Sequence, residues 1–174
     1  SKRHFHNLVE IAICRGGNGE IIIDQTKYSY EAGCVLVIPP NISHAIIVKE
    51  DTKNFGEFIY LNPSTVLQQH SISERDRKIY FNSINEALIL REKEEIPFLI
   101  SEIDMIMDQI RVKEYGYRQC IKGLVYALLM EIVKITYYKK NEGQNNISDE
   151  ISKPKRIIKV MDYIEAHYFE QIKI

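Results

Sequence analysis

Near its start the chain reads "HFHNLVE", which sets His4, His6 and Glu10 at even-numbered positions of one short stretch. Side chains on a β-strand alternate between faces, so these three share a face if the stretch is extended. Imidazole and carboxylate are donors suited to divalent ions such as Zn, Fe, Ni or Cu. A third imidazole, His44, follows "GCVLVIPPNIS". In a small barrel the strand pair carrying His44 can lie beside the first strand and turn its ring toward His4, His6 and Glu10. Three histidines and one carboxylate would then be a divalent-metal shell, or equally the hydrogen-bonded lining of a small-molecule pocket. Spacing leaves both open.

The elements that must position these groups differ between the two halves of the chain. Over residues 9–61 the pattern is of short apolar runs broken by Gly, Pro, Asn and Asp: "EIAIC", "RGGNGE", "IIID", "QTKYSY", "EAGCVLVIPP", "HAIIVK", "GEFIYL". Short β-rich runs with frequent turn signals predict a sandwich or barrel. "GGNG" and "IDQTKY" supply residues for two hairpin turns. "IPP" ends a strand, because proline donates no ladder hydrogen bond.

From Pro63 onward the spacing becomes helical. "NPSTVLQQH" reads as a short helix with Asn62 as N-cap and Pro63 at its first position. Residues 75–95 are polar with scattered aromatics and read as loop and short helix. Ile96, Leu99, Ile100, Ile103, Ile106, Met107 and Ile110 then fall on one helical face. After "EYGYR" a second helix carries Tyr117, Ile121, Leu124, Leu128, Ile132 and Ile135, and the two make an antiparallel hairpin. The apolar face of the second helix is wide enough for two partners, one of which is expected to be the same helix of a second chain; the alternative is that the hairpin folds back fully on its own domain. "KKNEGQNNISDEISK" (139–153) is polar and has little to bury, so it reads as a linker. Pro154 opens a further amphipathic helix with Ile157, Val160, Met161, Ile164 and Tyr168 on one face. Residues 153–174 hold five Lys or Arg against three Asp or Glu, a mildly basic balance.

The 174 residues correspond to one domain, or one domain plus a piece of another, and 45% hydrophobic content suffices for a core. With 23 Lys and Arg against 24 Asp and Glu, the chain as a whole does not advertise a nucleic acid or a membrane surface as partner. Cys14, Cys34 and Cys120 form no CxxC pair, which argues against a zinc ribbon or disulfide framework and fits free thiols in a reducing cytosol. No apolar run approaches a membrane-spanning length and no secretory segment is visible, so a cytoplasmic location is expected. The first residue is Ser and the last stretch stops abruptly, as in a piece excised from a longer protein.

His4-x-His6-x-x-x-Glu10 followed by Gly17 resembles the first motif of the cupin barrels. Gly33, Pro39-Pro40-Asn41 and His44 are similar to their second motif, with Asn41 where Gly is usual and Val48 where Asn is usual. A short cupin, a helical hairpin, a polar linker and "PKRIIKVMDYIEAHYFEQIKI" together resemble an AraC-type bacterial transcription regulator. The resemblance implies an α+β chain. Residues 1–62 would be a cupin-like β-barrel (a double-stranded β-helix) and 63–140 a helical region with a dimerisation hairpin. Residues 141–153 would be the linker and 154–174 the start of a helix-turn-helix module. It further implies a small effector in the barrel, with a sugar as one class. His4, His6, Glu10 and His44 would line that pocket, with or without a divalent metal, and would carry out no catalysis. Tyr28, Tyr30 and Tyr60 join the expected ligand surface, since aromatic faces with a polar tip suit sugars. Tyr117, Ile121, Leu124, Leu128, Ile132 and Ile135 would form the homodimer seam. DNA contact would belong to the full-length protein, because no recognition helix fits before residue 174. Two rivals remain: a metal-dependent cupin enzyme using the same four residues, and a dimerisation module with a vestigial pocket.

Overall fold

The computed structural model describes residues 2–48, 53–86, 89–92 and 95–141. All of these fall within one unit, Ser1–Gly143. The strands are β1 (Val9–Gly16), β2 (Asn18–Ile23), β3 (Thr26–Glu31), β4 (Cys34–Ile38), β5 (His44–Val48), β6 (Phe55–Leu61) and β7 (Ile89–Glu92). The helices are α1 (Pro63–Gln68), α2 (Glu74–Glu86), α3 (Pro97–Val112) and α4 (Tyr117–Asn141). The chain is therefore α+β, as expected.

The strands divide into two antiparallel sheets, one ordered β6-β1-β4-β7 and the other β3-β2-β5. Two antiparallel sheets are consistent with the expected cupin-like fold, while closure into a double-stranded β-helix barrel is not borne out. The described strands form a two-sheet sandwich, and no closed barrel is present among them. The physical reason lies at "GGNG". β1 and β2 do not pair as a hairpin; the turn instead carries the chain from one sheet to the other. Gly17 has φ +86, and a Cβ there would come within 2.4 Å of Asn54 Oδ1, so only glycine fits this corner. The second turn is a hairpin as expected, pairing Ile23 with Thr26 across Asp24, whose φ is +53. β4 ends at Ile38, ahead of the double proline. Asn41 adopts φ +63, the turn conformation for which the usual glycine would serve.

β1 presents different residues to its two sides. Val9, Ile11 and Ile13 join Val35, Val37 and Leu61 in a core with Leu99, Ile103, Ile106, Leu128, Leu129 and Ile132 of the helices. Glu10, Ala12 and Cys14 face the opposite way, between the sheets, as period-two alternation requires. An ion network ties the outer end of this layer to α3. Arg15 pairs with Glu57 at 2.7 Å and with Asp104, while Arg111 pairs with Glu57 and, at 2.8 Å, with Asp108.

The helices follow their sequence signals with one exception. Asn62 Oδ1 accepts from the Thr65 backbone N–H at 3.2 Å, and Pro63 opens α1. The α3–α4 hairpin forms around Gly116, whose φ is +86. Residues 75–95 depart from the loop and short helix expected there, holding the 13-residue α2 and the edge strand β7. The signal for α2 is "SERD": Ser73 Oγ accepts from the Asp76 N–H at 3.1 Å and donates to its carboxylate at 2.7 Å, a variant of the capping box. Beyond residue 141, the expected linker and C-terminal amphipathic helix lie outside the described residues. Among those described, no helix is long and apolar enough to cross a membrane.

Candidate functional site

Three backbone features bring the polar groups together. Glu10 sits on the inner face of β1, and His44 opens β5 in the opposing sheet. His4 forms an isolated antiparallel bridge with His44, its N–H donating to the His44 carbonyl at 3.0 Å and its carbonyl accepting at 2.9 Å. His6 is held by its carbonyl, which accepts from the Asn41 N–H at 2.8 Å. His4, His6, Glu10 and His44 thus converge, with one ligand atom from each inside a span of 4.8 Å. Glu10 and His44 are buried, His6 is half-buried and His4 is exposed.

The hydrogen bonds determine which imidazole nitrogens carry protons. Nδ1 of His44 lies 2.8 Å from the Ile42 carbonyl, Nδ1 of His6 3.0 Å from that of Leu8, and Nδ1 of His4 3.0 Å from that of Lys2. Carbonyl oxygens only accept, so each Nδ1 is the donor. In a neutral imidazole, Nε2 is then a bare lone pair. Two such Nε2 atoms, of His6 and His44, stand 2.9 and 3.1 Å from Glu10 Oε2. Lone pairs facing a carboxylate at that range require a cation between or upon them: a proton, or a metal ion. Locking Nδ1 on a carbonyl is also how ligating histidines are oriented. The donor set therefore fits a divalent cation.

The charges within the cluster are coupled. Burial pushes the Glu10 carboxyl up, but hydrogen bonds and charge from His44 and His6 outweigh it and leave Glu10 below its ordinary value. Burial pushes His44 down, and Glu10 with the Ile42 carbonyl more than reverses this, so His44 lies above its ordinary value. The Tyr60 hydroxyl is raised by burial and by the Glu10 charge. Its ring meets that of His6 edge-on at 5.4 Å.

The other expected site residues separate. Tyr30 lines the space between the sheets, its hydroxyl pressed over Gly19, where an added Cβ would come within 2.5 Å of it. Tyr28 is half-buried on the same strand and belongs to neither the polar cluster nor the cavity lining. Among the six expected seam residues, Leu128 and Ile132 are at 0% exposure inside this chain's own core. That corrects their assignment to a surface for a second chain. Tyr117, Ile121, Leu124 and Ile135 keep exposed area.

Sequence reasoning did not single out the apolar cavity of about 240 Å³ between the sheets, walled by Ala12, Ile21, Leu36, Ile46 and Phe58 among others. Its signal was available. Stepping by two from Glu10, His44 and Tyr60 reaches Ala12, Ile46 and Phe58 in turn. Phe58 stacks on Tyr60 at 6.4 Å and 11°, so cavity and polar cluster share one wall.

A two-sheet sandwich enclosing an apolar cavity beside a polar cluster offers space for a small molecule. Residues 1–118 match the AraC-like ligand binding domain family, and the chain belongs to that family. No curated protein matches the sequence. Among solved structures, the AraC-like transcriptional activator CuxR is similar in fold: TM-score 0.57 and 9% identity, covering 97% of this chain and 54% of that one. ToxT from Vibrio cholerae, bound to a naphthalenyl-butenoic acid, gives a TM-score of 0.47 and 13% identity over 97% of this chain and 61% of its own. Bacillus subtilis oxalate decarboxylase gives a TM-score of 0.32 and 19% identity over 42% of this chain and 19% of its own. The chain spans little more than half the length of the two regulators.

Proposed function

We propose that this chain is the effector-sensing part of a transcription regulator whose DNA-reading module belongs to the full-length protein. The observation that carries this reading is a cavity of about 240 Å³ walled by both sheets, in a member of a ligand-binding-domain family. The walls suggest the class of effector. A carbohydrate needs hydrogen-bond partners around its circumference, and burying hydroxyls against Ala12, Ile21, Leu36 and Phe58 is unfavourable. An apolar or amphiphilic molecule with one polar head suits the space better than a sugar, its tail among those residues and its head toward Tyr60 and His6.

Thermal-shift titration tests this, because a ligand that binds only the folded state raises its stability. Medium-chain and aromatic carboxylic acids are expected to raise Tm by several degrees, and sugars to leave it unchanged. Ala12→Leu fills the cavity and is expected to abolish the shift while keeping the unliganded Tm within a few degrees. Stabilisation by sugars alone, or an undiminished shift in the variant, would refute the apolar effector.

A second reading concerns the polar cluster and rests on the three Nδ1 atoms held on carbonyls. His4, His6, Glu10 and His44 would hold a divalent transition-metal ion. The ion would supply a Lewis-acidic centre facing the inner wall and would fasten the N-terminal segment to β5. Elemental analysis of protein prepared without a polyhistidine tag is expected to find about one metal per chain, and His44→Ala to lose it. Metal-free wild-type protein that takes up no added Zn, Ni or Co would end this reading. A metal would not by itself imply catalysis; turnover by the loaded protein is what would favour the enzyme alternative.

A further inference from the structure

The inner wall also holds a pair of thiols that neither the effector reading nor the polar cluster uses. β1 and β4 are registered Glu10↔Ile38, Ile11↔Val37, Ala12↔Leu36 and Ile13↔Val35. Continued one step beyond the paired residues, this register brings Cys14 opposite Cys34. The two backbones remain in contact there, since the Gly33 N–H donates to the Cys14 carbonyl at 2.8 Å. By alternation both side chains turn to the same side as Ala12 and Leu36, and both line the cavity. Both cysteines are free and half-buried.

We propose that Cys14 and Cys34 are an oxidisable dithiol in the cavity wall, converted by peroxide to a disulfide that staples β1 to β4. Cross-strand neighbours place their Cβ atoms about 4.5–5.5 Å apart, and a disulfide needs about 3.5–4.5 Å. The closure required is therefore of the order of 1 Å. The strand is irregular where that movement is needed: the β1–β6 register shifts between Cys14 and Gly16. Glycines at φ +86 and +97, Gly17 and Gly33, flank the pair.

The order of events follows from the surroundings. Burial, with a further push from Cys34, raises the Cys14 thiol, whose Sγ points to the Gly16 carbonyl at 3.4 Å. A raised thiol stays protonated longer than an ordinary one, which disfavours Cys14 as the first nucleophile. The Cys34 thiolate takes one peroxide oxygen, giving a sulfenic acid and releasing hydroxide, which picks up a proton to become water. The Cys14 sulfur then displaces the sulfenic oxygen as a second water, and the S–S bond forms. Two thiols have lost two electrons and two protons, and one peroxide has become two waters. A resolving thiol already opposite also protects Cys34 from further oxidation to the sulfinic acid.

The experiment uses the full chain with the exposed third thiol removed, Cys120→Ser, so that links between molecules do not confuse the count. After treatment with hydrogen peroxide at about pH 8.5, both remaining thiols are expected to become unreactive to a thiol reagent in denaturant and to be recovered with dithiothreitol. Peptide mapping of oxidised wild-type protein should yield a Cys14–Cys34 linked pair, a measurement that needs no variant. Cys14→Ser and Cys34→Ser should each leave a single residue that forms no internal link. Persistence of both thiols, or conversion to separate sulfinic acids or to links between molecules, would overturn the proposal. These outcomes are independent of whether any effector binds.

Discussion

Glu10 balances the polar cluster. Its Oε2 faces the Nε2 atoms of His6 and His44 at 2.9 and 3.1 Å in a buried setting. Removing one partner of a buried charged set leaves the others uncompensated, typically at a cost of about 3–5 kcal/mol. Glu10→Ala is expected to lower stability by that order in urea unfolding of metal-free protein, and Glu10→Gln by less, because an amide still offers a hydrogen-bond acceptor. A change below about 0.5 kcal/mol in the alanine variant would mean that the cluster is not a coupled unit in solution. These residues were legible from the sequence because period two gives even-numbered positions one face, and because His44 sits behind a proline stop that ends a strand. The cavity was not. Ala12, Ile46 and Phe58 are apolar residues on strands, and composition does not distinguish a wall around empty space from a packed interior. Tyr28 and Tyr30 share a face and a chemistry, yet only Tyr30 reaches the cavity.

At the scale of elements, the α3–α4 hairpin holds an unbalanced carboxyl. Glu102 on α3 is raised to about 7 by burial and by the charge of Glu131 on α4, with Lys134 opposing. Glu131 is itself paired with Lys134, and Glu102 Oε2 is buried with no hydrogen-bond partner. A carboxyl whose folded value lies above its ordinary 4.5 holds its proton longer in the folded state than in the unfolded one. Its contribution is therefore present in full below 4.5 and is lost as pH rises through about 7. Glu102→Gln is expected to flatten the loss of stability between pH 5 and 8 and to gain about 1 kcal/mol at pH 8, once solvent screening is allowed for. Parallel pH–stability curves for the two proteins would count against it. Helices with apolar spacing were legible over α3 and α4. α2 was harder to see because only Ser83 and Ile84 are buried on it, so its apolar stripe is too narrow to stand out; "SERD" was the better signal. The β1–β2 corner was misread as a hairpin because glycines that permit a tight turn equally permit a change of sheet.

For the whole molecule, α4 keeps apolar area at the margins of its buried stripe. Tyr117, Ile121, Leu124 and Ile135 retain exposed area, and Tyr137 and Tyr138 lie further along at 47% and 58% exposure. We propose pairing of two chains along this helix, which would tether two DNA-reading modules and raise their joint affinity through effective concentration. Sedimentation equilibrium is expected to give a dimer for the wild type and a monomer for Ile121→Glu with unchanged helicity. A wild-type monomer at ~100 μM would exclude a self-association of useful strength.

Along β1 the positions that would meet a ligand and those that seat the helices take turns: Glu10, Ala12 and Cys14 on one side, Val9 and Ile11 on the other. Gaining or losing one residue there would trade the two sets and ruin both at once. Exchanging one residue type for another disturbs a single side. Descendants of this chain can therefore retune what they recognise through point changes at positions 12, 21, 36 and 58 without reworking the scaffold, whereas length changes are confined to the turns.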